Sequence, residues 1–497
     1  MENPNSGGIG PFLRNRFARV VVIAVLYLVT RSFCLSRDLV SEEDLFLMPG
    51  QFLVEGAGYY FNWGVIFPHA DPFQKPPLTS LLLGLGSILT PDGVTGARLA
   101  PFLVGLFVCT LPLLVTSSMV PSLLLLASPL LYSASGYLQT DPVVGLLGYA
   151  LISWALARAH ETFDARSQLL LIAGLIVLWM GKLELAALAS AALVVYVPLQ
   201  PSRIRRSALL AFVTGTIAGL GLFVLVSWRL GLGSGFNFMQ SVGYTVNTVY
   251  RVTSSTIGLH AADGNAAAGA REWLWRSAKA FRVPELFLLL VVPAVAVIAV
   301  KRYLRARGRP HVYLLLLAIL PVVIYMEVGY PGDGFPRYFL EAFPPLAVLL
   351  GLCLQECSSK WRLWISIPVL GLGAVTLLPM TWASMQCPGS VTVAYGETGA
   401  HRAADLAHAL TKPGDLVLGP TNSLYYIRDR AWLASNSFEA YPTLHPKALA
   451  LLPQVRAAIV PHTGRSTILD TVATSLRERG AITAVIGSFD VLAVPPE

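Results

Sequence analysis

Charge is scarce in this chain. Asp, Glu, Lys and Arg make up 13% of its 497 residues and hydrophobic residues 55%, and the mean hydropathy is +0.62. That balance excludes an ordinary soluble globule, whose composition carries about 25% charged residues. Cysteine is scarce too. Cys34, Cys109, Cys353, Cys357 and Cys387 are an odd number without metal-ligand spacing, which excludes a disulfide framework and a metal–thiolate centre. The formal charge of +8 comes without a basic patch, because Lys and Arg stand in short clusters between apolar runs. This argues against a nucleic-acid partner. The first apolar run, about 17 to 34, has no small-residue cleavage site after it, so it is read as a retained first span. No fixed-period repeat is present.

What the chain has instead is a series of apolar runs close to bilayer length. Helical spans are expected at 17–34, 95–117, 120–136, 142–158, 168–181, 183–199, 208–229, 284–300, 311–328, 338–355 and 363–383, about eleven in all. Lys182 and Glu184 interrupt the stretch from 168 to 199, which leaves a single long helix with a re-entrant piece as the other way to read it. With eleven spans the basic clusters at Arg14, Arg16 and Arg19, at Arg158 and Arg166, at Arg203, Arg205 and Arg206, at Lys301 to Arg309, and at Lys360 and Arg362 share one face. By the positive-inside rule that face is cytoplasmic, and so is the N-terminus. The expected fold is therefore an α-helical polytopic membrane protein, placed in a bacterial plasma (inner) membrane and in contact with its lipids.

Two external loops, 37–94 and 230–283, are too long to be simple connections and are expected to carry function. The first holds a surface helix within Ser41 to Tyr60 and a short apolar helix from Pro77 to Leu89. The second holds a flexible Ala/Gly stretch, Ala261 to Ala270. Near residue 386 the composition turns mixed, with β-like runs at Leu416 to Leu418, Ala457 to Val460, Ala484 to Ile486 and Val491 to Val494. The reading is a transmembrane domain over 1–385 and a small C-terminal extracytoplasmic α/β domain over 386–497. His401, His408, His445 and His462 lack paired metal spacing and read as surface or satisfied core residues.

Charged groups at a membrane surface are functional candidates. The external face collects Glu42, Glu43 and Asp44, Lys75, Asp141 and Arg337. Acids and bases together suit transfer of a group from a lipid phosphate: a carboxylate takes the acceptor's proton and a cation steadies the departing phosphate. The bland readings are that Ser41 and Asp44 form a capping box, that Asp141 before Pro142 is an N-cap, that Lys75 and Arg337 anchor at the interface, and that Arg98 is structural.

The stretches Ser41-Glu-Glu-Asp-Leu-Phe, Phe52-Leu-Val-Glu-Gly-Ala-Gly-Tyr, Gln74-Lys-Pro-Pro-Leu-Thr and Gly96-Ala-Arg-Leu-Ala-Pro, in this order and spacing, resemble the first loop of the GT-C superfamily of membrane glycosyltransferases. The likeness is to its protein O-mannosyltransferase and aminoarabinose transferase branch. Gln139-Thr-Asp-Pro and Pro336-Arg-Tyr-Phe-Leu-Glu-Ala-Phe-Pro-Pro-Leu-Ala add two further matches. The resemblance implies a GT-C fold and an inverting transfer of one sugar from a polyprenyl-phosphate donor to a lipid, glycan or protein acceptor on the external face. It implies Glu42 or Glu43 as general base, with Glu42 standing where the family usually has Asp, so that Asp44 stays open as well. It implies Lys75 and Arg337 at the donor phosphate and Asp141 in the same cavity. If a divalent cation, magnesium or manganese, takes part, Glu43 and Asp141 would hold it. No cytoplasmic acidic motif or glycine-rich loop for a nucleotide sugar is present. The rival reading is a transporter or flippase of lipid-linked sugars, against which stands the lack of repeated halves.

Overall fold

The computed structural model describes residues 15–40, 43–61, 64, 71–72, 75–116, 118–159, 163–230, 310–328, 336–356, 399–427, 429–435, 449–462 and 467–495, with single positions between 360 and 378. The chain enters through helix α1 (Arg16–Arg31), whose outer side leaves Phe17 73% and Val29 61% exposed. Large apolar side chains at the surface of a long helix are what lipid accepts and water does not. The inner side is tied down by Tyr27, whose hydroxyl donates to Phe102 O at 2.8 Å. Then come α2 (Asp44–Val54), a short hairpin of β1 (Tyr60–Phe61) and β2 (Asp71–Pro72), α3 (Pro77–Ser87) and the long α4 (Val94–Val115).

The next expected span, 120–136, is broken. Helix α5 (Val120–Ala127) stops at Ser128, whose backbone is extended, and Pro129 opens α6 (Pro129–Ala134), with the Ser128 hydroxyl accepting from Leu131 N at 3.2 Å. Proline is preorganised for the first turn of a helix and Ser128 caps that turn, so the pair opens a new helix here although other prolines of the chain stand inside helices. After a π-helical turn over Asp141–Gly145 the chain continues through α7 (Leu146–Arg158), α8 (Ala165–Gly181), α9 (Leu183–Tyr196), α10 (Ser202–Arg229), α11 (Pro310–Val328) and α12 (Phe343–Glu356). Lys182 separates α8 from α9 in an extended conformation (φ −154°, ψ 99°), so 168–199 is two helices. Among the described residues three helices, at Arg16–Ser36, Val94–Val115 and Ser202–Arg229, are long and apolar enough to cross a membrane, and six apolar helices are shorter. The loop 230–283 beyond Leu230, the span 284–300 and most of 363–383 lie outside the described residues.

The C-terminal region is a mixed sheet with helices. In chain order it comprises α13 (Ala400–Ala409), β3 (Leu416–Gly419), α14 (Thr421–Leu424), β4 (Ala431–Ala434), β5 (Val455–Pro461), α15 (Thr467–Glu478), β6 (Ile482–Ile486) and β7 (Phe489–Ala493), with strand order β4-β3-β5-β7-β6. β3 runs parallel to β4 and β5, while β7 runs antiparallel to β5 and β6. Alternation assigns the two faces. Leu418, Ala458, Val460 and Leu492 share a core with Leu469, Val472 and Leu476 of α15. Val417, Ala457, Ile459 and Val491 share a second core with the alanines of α13 and with Leu39, Phe46 and Leu47 of the first loop. The sheet therefore packs down on the segment that carries the acidic residues.

Candidate functional site

Helices α2 and α3 meet backbone to backbone. A Cβ built on Gly50 would lie 2.0 Å from Ser80 O, and one on Gly84 would lie 2.1 Å from Gly50 O, so only glycine permits this contact. Buried Tyr59 staples the pair, its hydroxyl donating to Lys75 O at 3.1 Å and lying 3.3 Å from Ser80 Oγ. Helix α3 begins at Pro77 after an extended Pro76, so Lys75 is exposed at its mouth.

At the other end of this unit Glu43 precedes α2 and is completely buried. Its carboxylate faces the Arg98 guanidinium in a two-point grip, Nη1 to Oε1 at 2.8 Å and Nη2 to Oε2 at 2.9 Å. Arg37 Nη2 adds a bond to Oε1 at 3.0 Å, Leu138 N another at 3.0 Å, and Val40 N donates to Oε2 at 2.9 Å. Burial alone would raise this carboxyl, but Arg98 and Arg37 outweigh it and hold it below the usual carboxylate range. With both oxygens engaged by hydrogen bonds, Glu43 is poorly placed to take a substrate's proton or to bind a metal. The candidate metal pair Glu43 and Asp141 thus does not fit that role, and among the described residues no three ligating side chains converge. Arg98 also donates to Arg37 O at 3.1 Å and Asp38 O at 2.7 Å, so it fixes the segment leading into the acidic residues. The N-cap of α2 is Glu43, which makes no side-chain cap bond; Ser41, the other half of the expected capping box, and Glu42 lie outside the described residues. Asp44 opens α2 and is fully buried.

The segment 136–141 joins this knot to a second ionic cluster. Gly136 O accepts from both Arg37 and Arg98, Leu138 N reaches Glu43, and Asp141 follows three residues later. Asp141 is not an N-cap: it is the first residue of the π-helical turn, where Pro142 has no N–H to give and the helical register slips. Its Oδ1 pairs with Lys182 Nζ, which also stands 4.0 Å from Glu341 Oε1. Exposure of these three side chains is 4%, 13% and 0%, so the cluster is close to dry. Gly145 makes the space, since a Cβ there would lie 2.7 Å from Glu341 Oε1. Two acids around one cation at a helix break were not foreseen. Lys182 reads in the sequence as an interruption and Glu341 as part of a motif, although a single Lys in an apolar run is by itself a signal of intramembrane function. Arg337 lies four residues before Glu341 in the same 3₁₀ helix, Pro336–Ala342.

The structure therefore gathers Glu43 and Asp141 around one segment and leaves Lys75 at the surface of the same loop. The His residues in the C-terminal domain hold carboxylates or a ring. His408 and His462 lie 2.9 Å from Asp429 and Asp490, and His401 stacks on Tyr426; His445 lies outside the described residues. Cys34, Cys109 and Cys353 are buried free thiols.

No family model and no curated protein matches the sequence. Solved structures do match. The crystal structure of ArnT from Cupriavidus metallidurans bound to undecaprenyl phosphate superposes with a TM-score of 0.59 at 16% identity, covering 97% of this chain and 99% of that one. ArnT in the apo state gives 0.57 at 16% identity, covering 97% and 98%. Over nearly its whole length this integral membrane chain has the fold of ArnT, in keeping with the resemblance of its first-loop motifs.

Proposed function

We propose that the chain is a glycosyltransferase that moves a single sugar from a polyprenyl-phosphate donor to an acceptor on the extracytoplasmic face of the plasma membrane. The observation that carries this reading is the near full-length fold likeness to ArnT, a protein crystallised with undecaprenyl phosphate. The local chemistry supports it. Transfer with inversion joins the acceptor's oxygen or nitrogen to the anomeric carbon as the bond from that carbon to the phosphate oxygen breaks. The bonding electrons leave with the phosphate and the acceptor's proton passes to a carboxylate. Glu43 is committed to two guanidinium groups, so the base in this proposal is Glu42, with Asp44 as the alternative. Glu43 then serves to hold the turn, and Asp141 with Lys182 shapes the cavity beside it. Lys75 at the mouth of α3, together with the amide groups of that helix's first turn, would meet the donor phosphate, with Arg337 as a second cation. The five basic clusters support a cytoplasmic N-terminus, with the acidic turn and the C-terminal domain outside in this proposal.

Mass spectrometry of envelope lipids and glycans in a deletion strain tests the reading. The expected result is one envelope species lighter by a single sugar, restored by the wild-type gene. An unchanged profile, together with vesicle-reconstituted protein that moves a polyprenyl-phosphate sugar across the bilayer without consuming it, would replace the transferase reading with transport.

A further inference from the structure

The proposal that follows rests on the transferase reading and assigns a role to the C-terminal domain within it. Leu39 is the residue at which the two domains are joined. Its N–H donates to the Tyr426 hydroxyl at 2.9 Å and its C=O accepts from Asn422 Nδ2 at 3.4 Å. Both backbone groups of this one buried residue are thus satisfied by side chains more than 380 positions away in sequence. The neighbouring residues on either side belong to the acidic knot: Asp38 O and Arg37 O accept from Arg98, and Val40 N donates to Glu43. Tyr426 is itself held, because its ring stacks on His401 with centroids 4.3 Å apart and planes 14° from parallel.

A second bond runs beside the first. Gln51 Nε2 of α2 donates to the Tyr425 hydroxyl at 2.5 Å, and the Tyr425 and Tyr426 rings meet edge to face. Gly93, at φ 69°, makes room for this bond, since a Cβ there would lie 2.8 Å from Gln51 Nε2 and 3.2 Å from the Tyr425 hydroxyl. Further out, Gly64 of the first loop bridges to Leu433 of β4. An apolar core without polar anchors would let the domain slide; hydrogen bonds to a main-chain N–H and C=O fix a register.

We infer that Tyr426 and Asn422 are positioning residues for sugar transfer, and that the C-terminal domain sets the geometry of the segment 37–40 and, through Val40 and Glu43, of the acidic turn. The domain is part of the catalytic scaffold and not an appended recognition module. Tyr426→Phe keeps the stacked ring and the packing while removing the one atom that receives Leu39 N–H. Asn422→Leu keeps the volume and removes the donor to Leu39 O.

The test uses the full-length protein in detergent, with Thr474→Ala, on the exposed side of α15 and across the sheet from this contact, as control. Hydrogen exchange followed by peptide mass spectrometry over residues 37–50 reads position without needing activity. Tyr426→Phe is expected to speed exchange at Leu39 and also at Val40, whose N–H it does not touch, while the control leaves both unchanged. Transfer assays are expected to show kcat lower by about ten- to a hundredfold with the donor KM unchanged, the signature of a small misplacement. Exchange that rises at Leu39 but not at Val40, or a kcat per folded molecule equal to wild type in both variants, would reduce the contact to simple docking and overturn the inference. Wild-type protein that transfers no sugar would overturn the function reading instead, with the exchange result still deciding whether the domain positions the turn.

Discussion

At the scale of single residues the division of labour between Glu42 and Glu43 is the sharpest expectation. Glu43→Gln leaves Arg37 and Arg98 buried against a neutral amide. Breaking a buried pair in this way costs about 3–5 kcal/mol, so the variant should melt early and fold poorly. Glu42→Gln should instead fold and bind donor normally while losing about 10² to 10⁴ in turnover, the usual contribution of a positioned proton acceptor. Thermal melting and single-turnover transfer, measured on both, separate the two roles; normal turnover in Glu42→Gln would move the base to Asp44. The depressed pKa of Glu43 adds a pH signature. A carboxyl held low contributes stability that is fully present above its unfolded value, about 4.3, and is lost as pH falls through the lower folded value. The melting-temperature gap between wild type and Glu43→Gln should stay constant from pH 7 to 5 and close only in stronger acid. Lys75→Met tests the cation, because methionine matches the stem's reach and apolar character: a phosphate ligand would lose donor affinity in a binding assay, whereas an interfacial anchor would not.

At the scale of elements, the legible parts of the chain were those decided by local pattern. Lys75-Pro-Pro announced an extended chain and then a helix, and α3 begins at Pro77. The four β-like runs each overlap a strand of the sheet, the last running one residue past β7, whereas β4 (Ala431–Ala434) is too short and too weakly patterned around Trp432 to be read. What local pattern could not give was which distant groups meet. Glu43 looks like a free acid until Arg98 is brought to it from α4, beside its near neighbour Arg37, and Ser128–Pro129 breaks a run that hydropathy alone joins. Lys182 is the clearest case. It ends α8 because its side chain is taken by Asp141 and faces Glu341. Lys182→Met should therefore leave two buried acids facing each other and cost several kcal/mol, seen as a large loss of folded protein on gel filtration. Glu341→Gln in the same background should recover part of the loss by removing one acid; failure to recover would mean that the ion pair with Asp141 alone holds the break.

At the scale of the whole molecule the C-terminal sheet and the first loop share one apolar core and a set of hydrogen bonds at Leu39 and Gln51. That coupling constrains topology. The sheet shares a core with Leu39, Phe46 and Leu47, so whichever side of the membrane the acidic turn occupies, the C-terminal domain occupies too. In the proposed topology Arg205, exposed in the first turn of α10, lies on the opposite side. In a variant with all native cysteines replaced, Thr474→Cys on the exposed side of α15 should react in intact cells with a maleimide that does not cross membranes, and Arg205→Cys should react only after the cells are opened. The reverse pattern would place the site in the cytoplasm, where a flipped lipid carrier presents no sugar, and would leave the transferase reading without its donor. Labelling of both sites in intact cells would mean an even number of crossings between them, and would count against the eleven-span topology while leaving the docked sheet and the acidic turn together on one face.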